Sequence, residues 1–189
     1  MSPVKNIMPA KVLVHICCGP CAVYPVKVLR ERGHEVMGLF FNPNIHPLKE
    51  YLHRLDSARR AAQVLGVRII GSDRDYDPQM FLRLTAFREE HRCFLCHQLR
   101  LERTRTMARQ AGFDFFTTTL LYSRRQKHDM IRSVGESLTG KKTAFLYHDF
   151  RQGWVQGREE AAEMGLYRQS YCGCIYSEFE RFRGELDRL

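Results

Sequence analysis

KVLVHICCGPC, residues 11–21, reads as a short buried strand that runs directly into a cysteine-bearing turn. Val12, Leu13, Val14 and Ile16 supply the apolar run, and Cys17 to Pro20 end it. Residues Ala22 to Arg32 then take helical spacing, with Val23, Val26, Val28 and Leu29 on one side. Gly33 stands where a glycine closes a helix. Glu35 to Phe41 is a second buried strand, ended by NPNIHP, whose prolines and asparagines impose a loop. A helix over Leu48 to Leu65, closed by Gly66, and a strand over Val67 to Ile70 complete the rhythm. Strand, helix, strand, helix, strand predicts a doubly wound, mostly parallel α/β sheet.

Further along, Asp77 and Pro78 open a helix through Met80, Phe81, Leu84 and Phe87. Cys96 to Gln110 is another, closed by Gly112. Phe113 to Thr118 is the next strand. Arg125 to Leu138 reads as a helix and Ala144 to Tyr147 as a short strand. A short helix within Gly157 to Gly165 and a last one over Tyr176 to Leu189 finish the chain. No repeat interrupts this pattern, which predicts one domain over residues 1–189 with extra helices across one end of the sheet.

The composition is that of a globular chain: 189 residues, 44% hydrophobic and 27% charged. It excludes global disorder. Thirty Lys and Arg against 21 Asp and Glu leave a formal charge of +9, which suits a polyanion such as RNA as well as an ordinary basic protein. No segment approaches the roughly 20 apolar residues of a membrane span. The first residues lead into a strand and not a cleavage site, so a cytoplasmic location is expected. There, structural disulfides are disfavoured and metal or thiol chemistry is favoured.

All seven cysteines fall into three groups: Cys17, Cys18 and Cys21; Cys93 and Cys96; Cys172 and Cys174. Inert core thiols have no reason to group, because a buried free cysteine behaves as a small hydrophobe. Thiolates that must converge on one centre do. A cysteine pair at the end of a strand lies where open α/β sheets expose their ligand crevice. The helix that follows offers unpaired N–H groups to negative sulfur. Gly19 permits a tight bend and Pro20 suits the first helical turn, which places Cys21 facing the same region. Cys93-Phe-Leu-Cys96 is a chelating pair at or just before a helix start. Four thiolates from Cys17, Cys18, Cys93 and Cys96 match a 4Fe–4S centre. Zinc could close on the same four, and thiols without metal are a third reading. The surplus of three cysteines favours iron. Cys21 is available for an extra iron. Cys172-Gly-Cys174 reads either as a strained, labile redox pair or as a reduced pair near a turn.

Other residues divide between functional and structural readings. His15 either tunes a metal centre through a hydrogen bond or fills the core. Asn42, Asn44 and His46 read a base or sugar, or build a rigid turn; Glu50 and Tyr51 belong to a pocket rim. Thr117, Thr118 and Thr119 offer hydroxyls, or simply favour a strand. Arg124, Arg125, Lys127 and His128 contact phosphate or water. Arg168, Gln169 and Tyr171 combine charge, amide and ring as a nucleoside pocket does. Asp149 and Arg151 are further pocket candidates, and Asp149, Asp129 or water is a candidate proton donor. No GxGxxG and no GxxxxGK[ST] phosphate loop occurs, so a built-in nicotinamide or ATP site of those kinds is not expected and an external electron donor is.

These stretches resemble the QueH-type epoxyqueuosine reductases: LVHICCGPC at 13–21, FFNPNIHP at 40–47 with Glu50-Tyr51, and CFLC at 93–96 with Arg100-Leu101. TTTLLYS at 117–123 with Gln126-Lys127-His128, and YRQSYCGC at 167–174 with Ser177, extend the likeness over nearly the whole chain. The resemblance implies an adenine-nucleotide α-hydrolase (Rossmann-like) fold with cysteines in place of a phosphate loop. It implies reduction of the epoxide of epoxyqueuosine at the wobble position of tRNA, giving queuosine. It implies a 4Fe–4S cluster on Cys17, Cys18, Cys93 and Cys96, and Cys172 and Cys174 as a redox pair. A further iron is known beside the cluster in this family. Position 21 is acidic in some members and cysteine here, which leaves that iron's ligand open. The competing expectation is a zinc-stabilised RNA-binding module without redox activity. A sulfur-transfer enzyme acting on tRNA is a second, weakened by the missing ATP loop.

Overall fold

The computed structural model describes residues 8–71 and 76–188. The single-domain reading over 1–189, and Leu189 of the last helix, fall partly outside them. Five strands, β1 (Lys11–His15), β2 (Glu35–Leu39), β3 (Arg68–Ile70), β4 (Phe115–Thr118) and β5 (Ala144–Phe145), form one parallel sheet. Their order is β3-β2-β1-β4-β5. β1 is its spine: four of its five residues are buried, and it pairs Val12 with Val36 on one side and Phe115 on the other. The chain moves outward from β1 to β2 and β3, then returns to the far side of β1 for β4 and β5. The carboxyl ends of β1 and β4 therefore flank the point where the winding reverses, the place where such sheets open a ligand crevice. The doubly wound α/β expectation is borne out.

The helices are α1 (Gly19–Glu31), α2 (Leu48–Val64), α3 (Pro78–Thr85), α4 (Arg92–Gln110), α5 (His128–Ser137), α6 (Trp154–Glu163) and α7 (Ile175–Phe182). α1 packs against α2 and α6, whereas α4 packs against β1, β4 and α5. Both α1 and α2 end as their glycines predict. At α1 the Gly33 N–H donates to Arg30 O and the His34 N–H to Leu29 O, with Gly33 at φ 81°, so the last carbonyls are satisfied.

Several boundaries differ from expectation, each for a local reason. α1 begins at Gly19, three residues early, because Pro20 needs no amide partner in the first turn. α4 begins at Arg92, so Cys93 and Cys96 both lie inside its first turns. α5 begins only at His128; residues 124–127 form a turn, with the Gln126 N–H donating to Ser123 O. α3 stops at Thr85, and Phe87, read as part of its apolar side, is 99% exposed. β5 ends at Phe145, short of Tyr147, and the last helix passes into a 3-10 segment, Arg183–Arg188.

The role expected for Gly19 also changes. It is not a bend residue. A Cβ there would lie 2.3 Å from Ser57 Oγ and 2.4 Å from the Ser57 carbonyl oxygen. Its bare backbone lets α1 and α2 meet closely at the cysteine turn. Gly19→Ala is expected to cost roughly 1–3 kcal/mol through overpacking, read as a lowered urea midpoint with unchanged slope.

Candidate metal centre

The turn after β1 delivers three thiols to the reversal point. The Sγ atoms of Cys17, Cys18 and Cys21 all lie within 4.8 Å of one another and are largely buried. Cys17 and Cys18 sulfurs are 3.8 Å apart. β4 supports them from the neighbouring strand end. The Cys17 N–H donates to Thr119 Oγ1 at 3.1 Å, and that hydroxyl donates to Cys17 Sγ at 3.3 Å. Gln169 Nε2 donates to Cys18 Sγ at 3.1 Å from a residue 151 positions away. Pro25, inside α1, has no N–H to give the Cys21 carbonyl one turn back.

The three thiols share charge unequally. Hydrogen bonds from Cys18, Cys21 and Thr119 hold Cys17 well below the usual thiol range. Bonding to the Cys17 thiolate pushes Cys18 and Cys21 upward, and burial adds to it. The arrangement favours charge on Cys17 and protons on Cys18 and Cys21, and binding a cation would favour proton release. Soft sulfur at this spacing fits a thiophilic metal. The surroundings fit the negative charge that such a centre brings. Arg54 and Arg100, each 2% exposed, are the two largest fully buried side chains. Arg54 Nε donates to Glu50 Oε1 at 2.7 Å, and its terminal nitrogens donate to the carbonyls of Cys172 and Tyr171. Arg100 donates to Cys96 O and sits 3.2 Å from His97 Nδ1; among the described residues no carboxylate pairs with it. Two buried cations against one carboxylate leave this wall net positive.

The other four cysteines, the expected ligands Cys93 and Cys96 among them, stand outside this group of three. Cys96 and Cys174 pack together with Phe81, while Cys93 is half-buried. Burial pushes the Cys96 thiol up to about 12. Cys172 is exposed at a cavity of about 580 Å³ that Cys17 and Cys21 also line. Gln126 Nε2 donates to its sulfur at 3.2 Å. Desolvation raises the Cys172 thiol, so it keeps its proton at neutral pH. All seven cysteines are free thiols in this structure. Gly173, between Cys172 and Cys174, takes φ 138°, and a Cβ there would lie 3.1 Å from Arg54 Nη1, so glycine suits the position.

The structure separates the remaining candidates. Arg168, Gln169 and Tyr171 line the cavity together with Asn42, Asn44, Arg125 and Gln126. His15 is buried behind it. Its Nε2 faces Phe41 O and Asn42 Oδ1, both acceptors, so that nitrogen carries the proton; Nδ1 accepts from Thr118 Oγ1 at 2.9 Å. Asn42 in turn donates to Ile16 O, so His15 braces the strand end that feeds Cys17. His46 instead packs against Phe81, Glu50 serves Arg54 and Tyr167, and Tyr51 is buried under Tyr76. Thr117 is buried. Asp149 and Arg151 pair with each other outside the cavity, and His128 meets Tyr147. Asp129, Arg124 and Lys127 are not among the lining residues. Sequence reasoning missed Arg54, Arg158 and Trp154, which also line the cavity. A lone tryptophan and an arginine four residues after Glu50 were the available signals.

Burial lowers the pKa of His15 and His148 to about 4, and of His34, His46, His97 and His128 below the usual value. The fold prefers all six neutral, whereas the unfolded chain protonates them near pH 6.5. Stability is therefore fully present above pH 6.5 and falls as pH drops toward 4. Urea midpoints are expected to decline steadily over that window, and His148→Gln to flatten the decline.

A five-stranded parallel sheet whose reversal point carries three thiols defines a doubly wound, Rossmann-like α/β protein. Its fold matches a solved structure described as a predicted subunit of tRNA methyltransferase from Methanocaldococcus jannaschii, with TM-score 0.51 and 16% identity, covering 82% of this chain and 75% of that one. That likeness is one of fold alone. A family model, Epoxyqueuosine reductase QueH, matches residues 12–180. The Dehalococcoides mccartyi protein named epoxyqueuosine reductase QueH is 35% identical over 177 residues, 93% of this chain and 96% of its own. The Thermotoga maritima protein of the same name is 33% identical over 179 residues, 90% and 91% of the two chains. This chain belongs to the epoxyqueuosine reductase QueH family. Membership in a family of reductases counts against the zinc-stabilised RNA-binding module. Among the described residues no helix is long and apolar enough to cross a membrane.

Proposed function

We propose that this chain reduces the epoxide of epoxyqueuosine at the wobble position of tRNA to queuosine, in the cytoplasm, with electrons from an external donor. The observation that carries the reading is the convergence of Cys17, Cys18 and Cys21 at the mouth of the sheet, beside a cavity that Cys172 shares. Cys17, Cys18, Cys93 and Cys96 would hold a 4Fe–4S cluster, and Cys21 offers a sulfur for an additional iron. When bound, the cluster supplies low-potential electrons one at a time. The deoxygenation breaks both carbon–oxygen bonds of the epoxide, consumes two electrons and two protons, and releases the oxygen as water. Cys172 and Cys174 together, as a dithiol, hold two electrons and two protons, and leave as a disulfide that the donor must re-reduce. Cys172 retains its proton at neutral pH and opens on the cavity, so it is the group that meets the leaving oxygen. Arg54 fixes the backbone of Tyr171 and Cys172 and so sets where that thiol stands.

The cavity suits a nucleoside in size and lining. Arg125, Arg158, Arg168 and Arg181 are exposed around it. If each neutralises one phosphate of a single-stranded loop, affinity should fall roughly 50-fold between 50 and 200 mM salt. Titration of tRNA at the two salt concentrations measures this, and salt-independent binding would reject phosphate contact. The activity itself is tested by anaerobic reconstitution with iron and sulfide. Iron and sulfide should bind in near-equal amounts and confer reduction of epoxyqueuosine tRNA. Zinc alone, with no iron uptake, would reject the proposal.

A further inference from the structure

We infer that Trp154 is the stacking wall that seats the target nucleobase beside the thiols, so that the protein accepts that base only when it is unpaired. The inference rests on the reductase reading above. Trp154 is the single tryptophan of the chain. It is half-buried and lines the same cavity as Cys17, Cys21 and Cys172, yet the redox chemistry does not use it.

Its position is fixed by packing at the start of α6. A Cβ at Gly153 would come within 2.1 Å of the Tyr24 ring, and one at Gly157 within 2.6 Å of Tyr122 Oη. These two bare positions let the first turn of α6 press on Tyr24 and Tyr122. Tyr122 Oη then donates to the Trp154 carbonyl at 3.1 Å, and the two rings lie 5.2 Å apart at 37°. A tyrosine therefore backs the indole and limits its motion. The guanidinium of Arg158, one turn along α6, lies 5.9 Å over the indole ring and is exposed.

A rigid ring beside exposed arginines is the arrangement that holds single-stranded nucleic acid, with bases stacked on the ring and phosphates on the cations. An indole needed only as core filling would gain nothing from facing a polar cavity. A base within a duplex offers no free face to this wall. It must leave the stack first, as bases do in other enzymes that act on them.

The test uses the full chain, reconstituted with iron and sulfide, and two RNAs: an anticodon stem-loop with the target nucleotide in its loop, and the same strand paired to its complement. Because no other tryptophan emits, indole fluorescence reports this wall alone. The stem-loop is expected to quench it saturably and the duplex to leave it unchanged. Trp154→Ala should raise KM roughly 10- to 100-fold with a smaller fall in kcat. Trp154→Phe should recover most of the loss. Arg158→Ala, at an exposed position, should raise KM severalfold with an unchanged circular dichroism spectrum. If the stem-loop binds by anisotropy and is turned over while emission and the KM of Trp154→Ala stay at wild-type values, the stacking wall is wrong and the reductase reading stands. If the reconstituted wild-type chain neither binds nor reduces the stem-loop, both are wrong.

Discussion

Replacing Cys17 with serine is expected to remove bound iron and turnover together while leaving the fold in place. Cys17 is the sulfur that the site prepares as a thiolate. Thiols at Cys18 and Cys21 and the Thr119 hydroxyl all favour its charged form. Serine keeps the shape and a hydrogen bond to Thr119 but holds its proton far more tightly. It offers hard oxygen where a soft ligand is required. The surrounding strand does not depend on that sulfur, since β1 is held by its parallel pairing to β2 and β4. Circular dichroism should therefore match wild type, while iron, sulfide and turnover fall to background. Cys174→Ser should separate the roles: most iron stays and turnover is lost. A Cys174→Ser chain with full turnover would remove the dithiol from the mechanism without touching the metal centre.

The second large effect is expected at Arg54. Arg54→Met should destabilise the protein by roughly 3–5 kcal/mol, because it strands the Glu50 carboxylate in a buried site. Glu50 is 8% exposed and has Tyr167 as its remaining partner. Adding Glu50→Leu to Arg54→Met removes the stranded charge, and most of the stability should return. Activity should not return with it. The two guanidinium bonds to the carbonyls of Tyr171 and Cys172 are absent in both variants, so the 171–174 segment loses its anchor. Denaturation curves and turnover on the three proteins check this. Recovery of both quantities in the double variant would make Arg54 a purely structural residue.

Much of the fold was legible because its signals are local. Val12 to Ile16 form an apolar run, Gly33 and Gly66 stop helices, and Asp77-Pro78 starts one; the Asp77 side chain accepts the Met80 N–H as a cap. Phe87 was misplaced because an apolar residue one helical turn beyond Leu84 fits a period that the backbone had already left. The grouping of cysteines was visible as chemistry, and so was the likelihood that the first group stands at a strand end. Their actual neighbours were not visible. Thr119 meets Cys17 across 102 residues and Gln169 meets Cys18 across 151, because the reversal of winding sets β4 beside β1. Periodicity carries no record of that adjacency. Gly19 was legible as an unusual position but not for its reason, since the clash it avoids is with the backbone of Ser57 on another helix. Arg54 lay within an expected helix and Trp154 just before another, and nothing local in the sequence placed both on one cavity.

The most direct test is the mass of the wobble nucleoside after anaerobic incubation of epoxyqueuosine tRNA with iron-loaded protein and a low-potential reductant. The expected product is queuosine, lighter by one oxygen, formed in excess of the protein. Unchanged epoxyqueuosine, from protein that has bound both iron and the tRNA, would contradict a reductase built on the thiols at the mouth of this sheet.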